Sequence, residues 1–151
     1  MASVFDVAKY FLHKSRPGTP QAITHLKLQK LVYYAQGWNL AINGKPLFYE
    51  DIRAWDHGPV VRELYDEYKK FGYFTIPAED FNNQNNGKEI FTEDEIKVLD
   101  QVWNVYGKYD GKFLEELTHQ EDPWLYTERN EIIEPSRIKR YFSNLLTNTV
   151  C

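Results

Sequence analysis

The chain has 151 residues, a net charge of −4 and 42% hydrophobic residues. That length suits one domain whose core can offset the entropy of ordering it, and the acidic balance argues against a duplex-binding protein, because phosphate neutralisation supplies most non-specific nucleic-acid affinity. Its single cysteine, Cys151, excludes an internal disulfide framework or a Cys-based zinc site.

No apolar run approaches the roughly 20 residues that span a bilayer. The N-terminus contains Asp6 and lacks a signal-peptide pattern. The expectation is a cytoplasmic protein. Aromatic residues are abundant, with 4 Trp, 11 Tyr and 9 Phe. Such a surplus suits either a bulky core or an adhesive interface.

In chain order, Ser3 and Asp6 form a weak capping box, and Val4, Val7, Ala8, Phe11 and Leu12 recur at helical spacing until Arg16, Pro17 and Gly18 break the pattern. Thr24 is the next N-cap, with Ile23 and Leu28 as its hydrophobic staple. Leu31, Val32, Ala35, Trp38 and Ile42 continue the stripe to Asn43 and Gly44. Leu26, Tyr33, Tyr34 and Leu40 add apolar bulk off that stripe, which predicts a central helix enclosed on several sides. Gly37 within it points to a close approach, of another backbone or of ordinary packing.

Residues 46–55 lose the helical period, and a strand is expected over 52–55. Gly58 and Pro59 then read as the start of a helix carrying Val61, Leu64, Tyr65, Tyr68 and Phe71, closed by Gly72. Residues 81–88 read as a surface loop, and 88–91 as a segment able to pair with the strand at Ile52. Thr92 and Glu95 form a second capping box, stapled by Phe91 and Ile96, ahead of Leu99, Val102, Trp103 and Tyr106. After Gly107, Asp110 caps a helix with Phe113, Leu114 and Leu117 inward, and Glu134 with Pro135 opens the last helix, with Ile138, Phe142 and Leu145 inward. The expected fold is mainly α: a single compact helical domain of about six helices with a small two- or three-strand β element, its core at about residues 4–146.

Phosphate-binding glycine loops, nucleophile elbows and His-Glu-x-x-His zinc helices are absent. Four histidines remain, His13, His25, His57 and His119, with Asp56, Glu121 and Asp122 near two of them. Their ordinary role is capping or internal hydrogen bonding, and sequence proximity alone does not gather them into a site. An uncapped helix start at Gly58 beside His57 could receive an anion from a partner or be satisfied from within the domain. Trp124, after Pro123, reads equally as a packing plug or a recognition anchor. No cofactor or metal is expected.

Several segments together resemble the Panacea domain, the family of SocA-type antitoxins and phage-associated proteins. They are residues 26–38 (LKLQKLVYYAQGW), 46–48 (PLF), Ala54 with Trp55, 58–61 (GPVV), Thr118 with His119, and Pro123 with Trp124. The resemblance runs from about Val4 to Leu146. It implies a non-enzymatic antitoxin that neutralises a partner toxin, either by binding it directly or by delivering it to a Clp-type protease. It implies as partner a toxin encoded by an adjacent gene, while the missing apolar run argues against a membrane role and the acidic balance against nucleic acid. Lys27, Lys30, His57, His119 and Trp124 are the candidate partner contacts. An enzyme built on His57, His119 and a carboxylate stays open as a lesser reading.

Overall fold

The computed structural model describes residues 1–78 and 89–148, so the loop expected over 81–88 lies outside the described residues. The described chain runs α1 (Val4–Lys14), α2 (His25–Asn43), β1 (Ile52–Trp55), β2 (Gly58–Val61), α3 (Arg62–Tyr68) with a 3₁₀ turn at Lys69–Phe71, α4 (Glu93–Tyr106), α5 (Gly111–Thr118), α6 (Asp122–Leu125) and α7 (Pro135–Asn148). It is mainly helical, with one two-stranded antiparallel sheet.

The helix boundaries follow from local hydrogen bonding. Ser3 with Asp6, and Thr92 with Glu95, close complete capping boxes at the starts of α1 and α4. Thr24 and Asp110 cap α2 and α5 through the N–H groups of Lys27 and Phe113. Gly44, at φ +78°, ends α2 in the left-handed conformation that side chains avoid.

α2 is the axis of the fold, packed against α1, α3, α4, α5, α7 and β2. Its Leu28, Leu31, Val32, Tyr33, Tyr34 and Ala35 have no exposed surface. Enclosure on all sides explains why apolar residues are not confined to one stripe of this helix. The close approach at Gly37 is made by an aromatic ring and not by another backbone: a Cβ added there would stand 2.3 Å from Cε2 of Phe142 on α7.

Three expectations are corrected. Gly58 and Pro59 open no helix. They begin β2, and the helix starts at Arg62. Gly58, at φ +105°, follows a tight connection of Asp56 and His57, and the register pairs Trp55 with Gly58, Ala54 with Pro59, Arg53 with Val60 and Ile52 with Val61. Pro59 is tolerated because Ala54, opposite it, turns both backbone groups the other way, donating to the carbonyl of Glu131 and accepting from the N–H of Asn130.

The segment that extends the sheet beyond β1 is also different. The Ile133 N–H donates to the Ile52 carbonyl, and Arg53 bridges to Ile132, so residues 130–133 occupy the edge expected for 88–91. Phe91 instead packs edge-on against Tyr10, with ring centroids 5.8 Å apart. Lastly, Phe113 faces out, 46% exposed, while its neighbour Leu114 is fully buried. Adjacent helical residues lie about 100° apart, so a short helix resting one face on α2 buries only one of the two.

Candidate functional site

The β1–β2 hairpin is held by α2 from one side and by the α5–α6 corner from the other. The outer edge of β2 would otherwise present unpaired backbone groups, and side chains of α2 complete it. Gln29 accepts from the Val61 N–H at 2.9 Å and donates to the Val61 carbonyl at 3.3 Å. The next residue, Lys30, donates from Nζ to the Pro59 carbonyl at 3.1 Å. Lys30 has no exposed surface. Burial pushes its ammonium pKa down to about 7, against the opposing attraction of Glu115.

Gly58 sits where these parts converge. A Cβ there would stand 2.7 Å from Oγ1 of Thr118 and 2.9 Å from Cε of Lys30. No larger residue fits this contact, and its positive φ disfavours one in any case. Beside it, Nδ1 of His57 lies 3.2 Å from Oε2 of Glu115, with the imidazole 76% exposed and the carboxylate only 7%. With a proton on Nδ1 the ring donates to Glu115. Lys112 places its ammonium 3.8 Å from the same oxygen.

Pro123 and Trp124 turn the chain after α5 into α6. Trp124 donates from Nε1 to the carbonyl of Trp55 at 2.7 Å, fixing the corner to the hairpin. Its indole carries the His119 imidazole stacked at 4.0 Å and the Arg129 guanidinium carbon at 3.6 Å from the ring centroid. Two planar groups at those distances occupy opposite faces, so the indole is sandwiched. Arg129 also donates to the carbonyls of Trp124 and Thr127, each at 2.7 Å. Nε2 of His119 and one terminal nitrogen of Arg129 are buried without a hydrogen-bond partner among the described residues.

The structure therefore gathers Lys30, His57, His119 and Trp124 around the hairpin. It places Lys27 elsewhere, with Nζ donating to the carbonyls of Pro20, Ala22 and Gly107 at 3.1, 2.9 and 2.6 Å. Those three acceptors use every ammonium hydrogen, and burial lowers the Lys27 pKa to about 8. Neither Lys27 nor Lys30 presents a charge to an outside chain. His57 is the candidate with most of its side chain in solvent.

Glu115 carries a part of this region that the sequence did not single out, and Glu121, noted there only as a carboxylate near His119, has a different role. Glu121 accepts from the hydroxyls of Tyr33 at 3.2 Å and Tyr34 at 3.0 Å. Burial raises its carboxyl pKa to about 7, although both hydroxyls act to lower it. A pair of adjacent tyrosines on a helix expected to be enclosed on several sides was the available signal, since each buried hydroxyl needs a partner. Tyr34 also stacks on Tyr106 at 4.0 Å. Among the described residues no three His, Cys, Asp or Glu side chains gather closely enough to hold a metal ion. No helix of these residues is long and apolar enough to cross a membrane.

A family model described as antitoxin SocA-like, Panacea domain, matches residues 28–125. No curated protein and no solved structure matches the chain.

Proposed function

The chain belongs to the antitoxin SocA-like, Panacea domain family, and on that premise we propose that it is a cytoplasmic protein-binding antitoxin that neutralises a partner toxin by direct contact. The observation that carries this reading is the extent of the family match. Residues 28–125 enclose the whole hairpin cradle, from Lys30 through β1, β2 and α5 to Trp124. Within that cradle the groups with catalytic potential are committed to internal work: Lys30 to a strand edge, Glu115 to His57, and His119 to an indole face. What remains outward is a fixed face with His57 at its tip.

That geometry supports a contact surface centred on the hairpin tip. A preformed face costs little entropy to dock, and a few well-placed side chains supply most of the binding energy while their neighbours exclude water. His57 is a direct contact, and Trp124 and His119 hold the face in shape. Lys27 and Lys30 act as positioning residues. The partner is the toxin encoded beside this chain, and delivery to a Clp-type protease is the alternative outcome. The experiment is co-expression with the product of the adjacent gene. Toxicity relieved in cells, together with co-purification of the two chains, supports the reading. A toxic product that neither binds nor is relieved overturns it, and a toxin whose half-life falls in the presence of this chain turns it toward proteolytic delivery.

A further inference from the structure

A groove of about 340 Å³ runs between α4 and α7, lined by Trp38 and Ile42 of α2, by Val98, Gln101 and Val105 of α4 and by Leu146 of α7. The hairpin contributes no residue to it. Ile42 is 44% exposed and Val105 53%, so apolar surface stays uncovered along its rim.

The two ends of this groove carry opposite charge. Asp94, Val98, Gln101 and Val105 recur at intervals of three and four residues, which puts the exposed Asp94 on the groove side of α4. Its carbonyl accepts from Nδ2 of Asn43, the last residue of α2, so it marks the end of the groove beyond Ile42. On α7 the exposed Lys139 shares a face with Phe142 and Leu146 by the same spacing. Phe142 packs against Gly37 and Trp38, and Leu146 lies further on beside Ile42, so α7 runs in the direction of α2. Lys139, one turn before Phe142, therefore stands toward the other end, where Tyr34 stacks on Tyr106. Among the described residues neither Asp94 nor Lys139 forms an ion pair. Glu95 is engaged in the cap of α4, and Glu93 and Lys97, four residues apart on an adjoining face, offset each other.

We propose that this groove joins two copies of the chain about a two-fold axis near Gln101, with the α4 helices antiparallel and Asp94 of each copy paired to the partner's Lys139. Charge complementarity selects the occupant. An antiparallel turn about the middle of α4 carries the acidic end of one groove onto the basic end of the other, and the symmetry makes the pair twice. A foreign helix would need its own charges set at this spacing, whereas a second copy has them already. Val105 of each copy then enters the apolar part of the facing groove, which removes both from water. The association stands independently of the antitoxin reading, since no hairpin residue lines the groove.

The test is sedimentation equilibrium of the full chain at concentrations up to about 1 mM. The expected result is a monomer–dimer equilibrium whose dissociation constant rises about tenfold in each of D94K and K139E, since either change breaks two ion pairs and sets like charges together. In D94K/K139E the pairs form again with their signs exchanged, and the constant should return close to the wild-type value. V105R should leave a monomer, because it places a charge in the apolar part of the contact. All three positions are exposed, so unchanged circular dichroism and thermal midpoints show that the variants fold. A chain that stays monomeric throughout, a V105R variant that dimerises like the wild type, or a charge swap that fails to restore association overturns the proposal. So do assemblies that keep growing with concentration, since a two-fold contact closes at two copies.

Discussion

Lys30 donates its fully buried ammonium to the carbonyl of Pro59 at 3.1 Å, joining the central helix to the free edge of β2. The folded pKa is about 7, below the ordinary value of 10.5. Between those limits the unfolded chain binds more protons than the folded one, so this residue makes stability rise as pH increases through the window. In Lys30→Met the rise should shrink by a few kcal/mol at most, on the order of 1.4 kcal/mol per pKa unit. Urea unfolding of both proteins between pH 7 and 10 measures it, and parallel curves would count against a buried ammonium.

Glu121 gives the opposite slope. Its folded carboxyl pKa is raised to about 7 from 4.5, so the folded state holds the extra proton and its contribution is lost as pH rises from 4.5 through 7. Glu121→Gln keeps an acceptor for Tyr33 or Tyr34 and removes the titration. The variant should therefore gain on the wild type by about 1–3 kcal/mol between pH 5 and 8. A stability difference independent of pH contradicts the assignment.

Gly37→Ala adds a methyl 2.3 Å from the Phe142 ring. That ring is fixed by Tyr33 and Trp38 at centroid distances of 5.7 and 5.0 Å. Overpacking of this kind costs about 1–3 kcal/mol, more than the roughly 1 kcal/mol that alanine gains over glycine in a helix. Placing Phe142→Leu in the same chain should recover part of the loss. The double-mutant cycle in urea measures the coupling, and strictly additive effects mean that the two positions do not touch.

Trp124→Phe keeps an aromatic plug between His119 and Arg129 but removes the donor to the Trp55 carbonyl. The expected loss is about 1–3 kcal/mol, since a carbonyl is left without its partner. Trp124→Ala should cost more and release the α5–α6 corner, seen as faster amide exchange at residues 119–127. If both variants exchange like the wild type, the corner is held by something other than the indole.

His57→Ala alters a side chain that is 76% exposed, so its thermal midpoint should stay close to that of the wild type. Affinity for the toxin should fall, read by calorimetry on the purified pair. Wild-type affinity in this variant removes His57 from the contact surface.

Much of the helical framework was legible because the deciding hydrogen bonds span three or four residues. Ser3 with Asp6, Thr92 with Glu95, Asp110 with Phe113, and the left-handed Gly44 are short-range facts that the sequence states directly. Gly58 and Pro59 misled because the same dipeptide suits a helix start and a hairpin strand. What settled it was the pairing of β1 with residues 130–133, which lets Pro59 sit without a donor. Phe113 misled because periodicity over eight residues does not show which of two neighbouring apolar side chains faces α2.

The candidate contacts divide in the same way. Residue types and spacing alone marked the family motifs and a mainly helical domain, since propensity, capping and apolar period are carried by neighbouring residues. Only the tertiary structure decided that Lys27 and Lys30 turn inward, because their acceptors are backbone carbonyls, of which Gly107 stands 80 residues from Lys27 and Pro59 29 residues from Lys30. A lysine buried on distant carbonyls and one bathed in solvent have the same local sequence. The difference lies in which backbone groups the packed chain brings within about 3 Å of the ammonium.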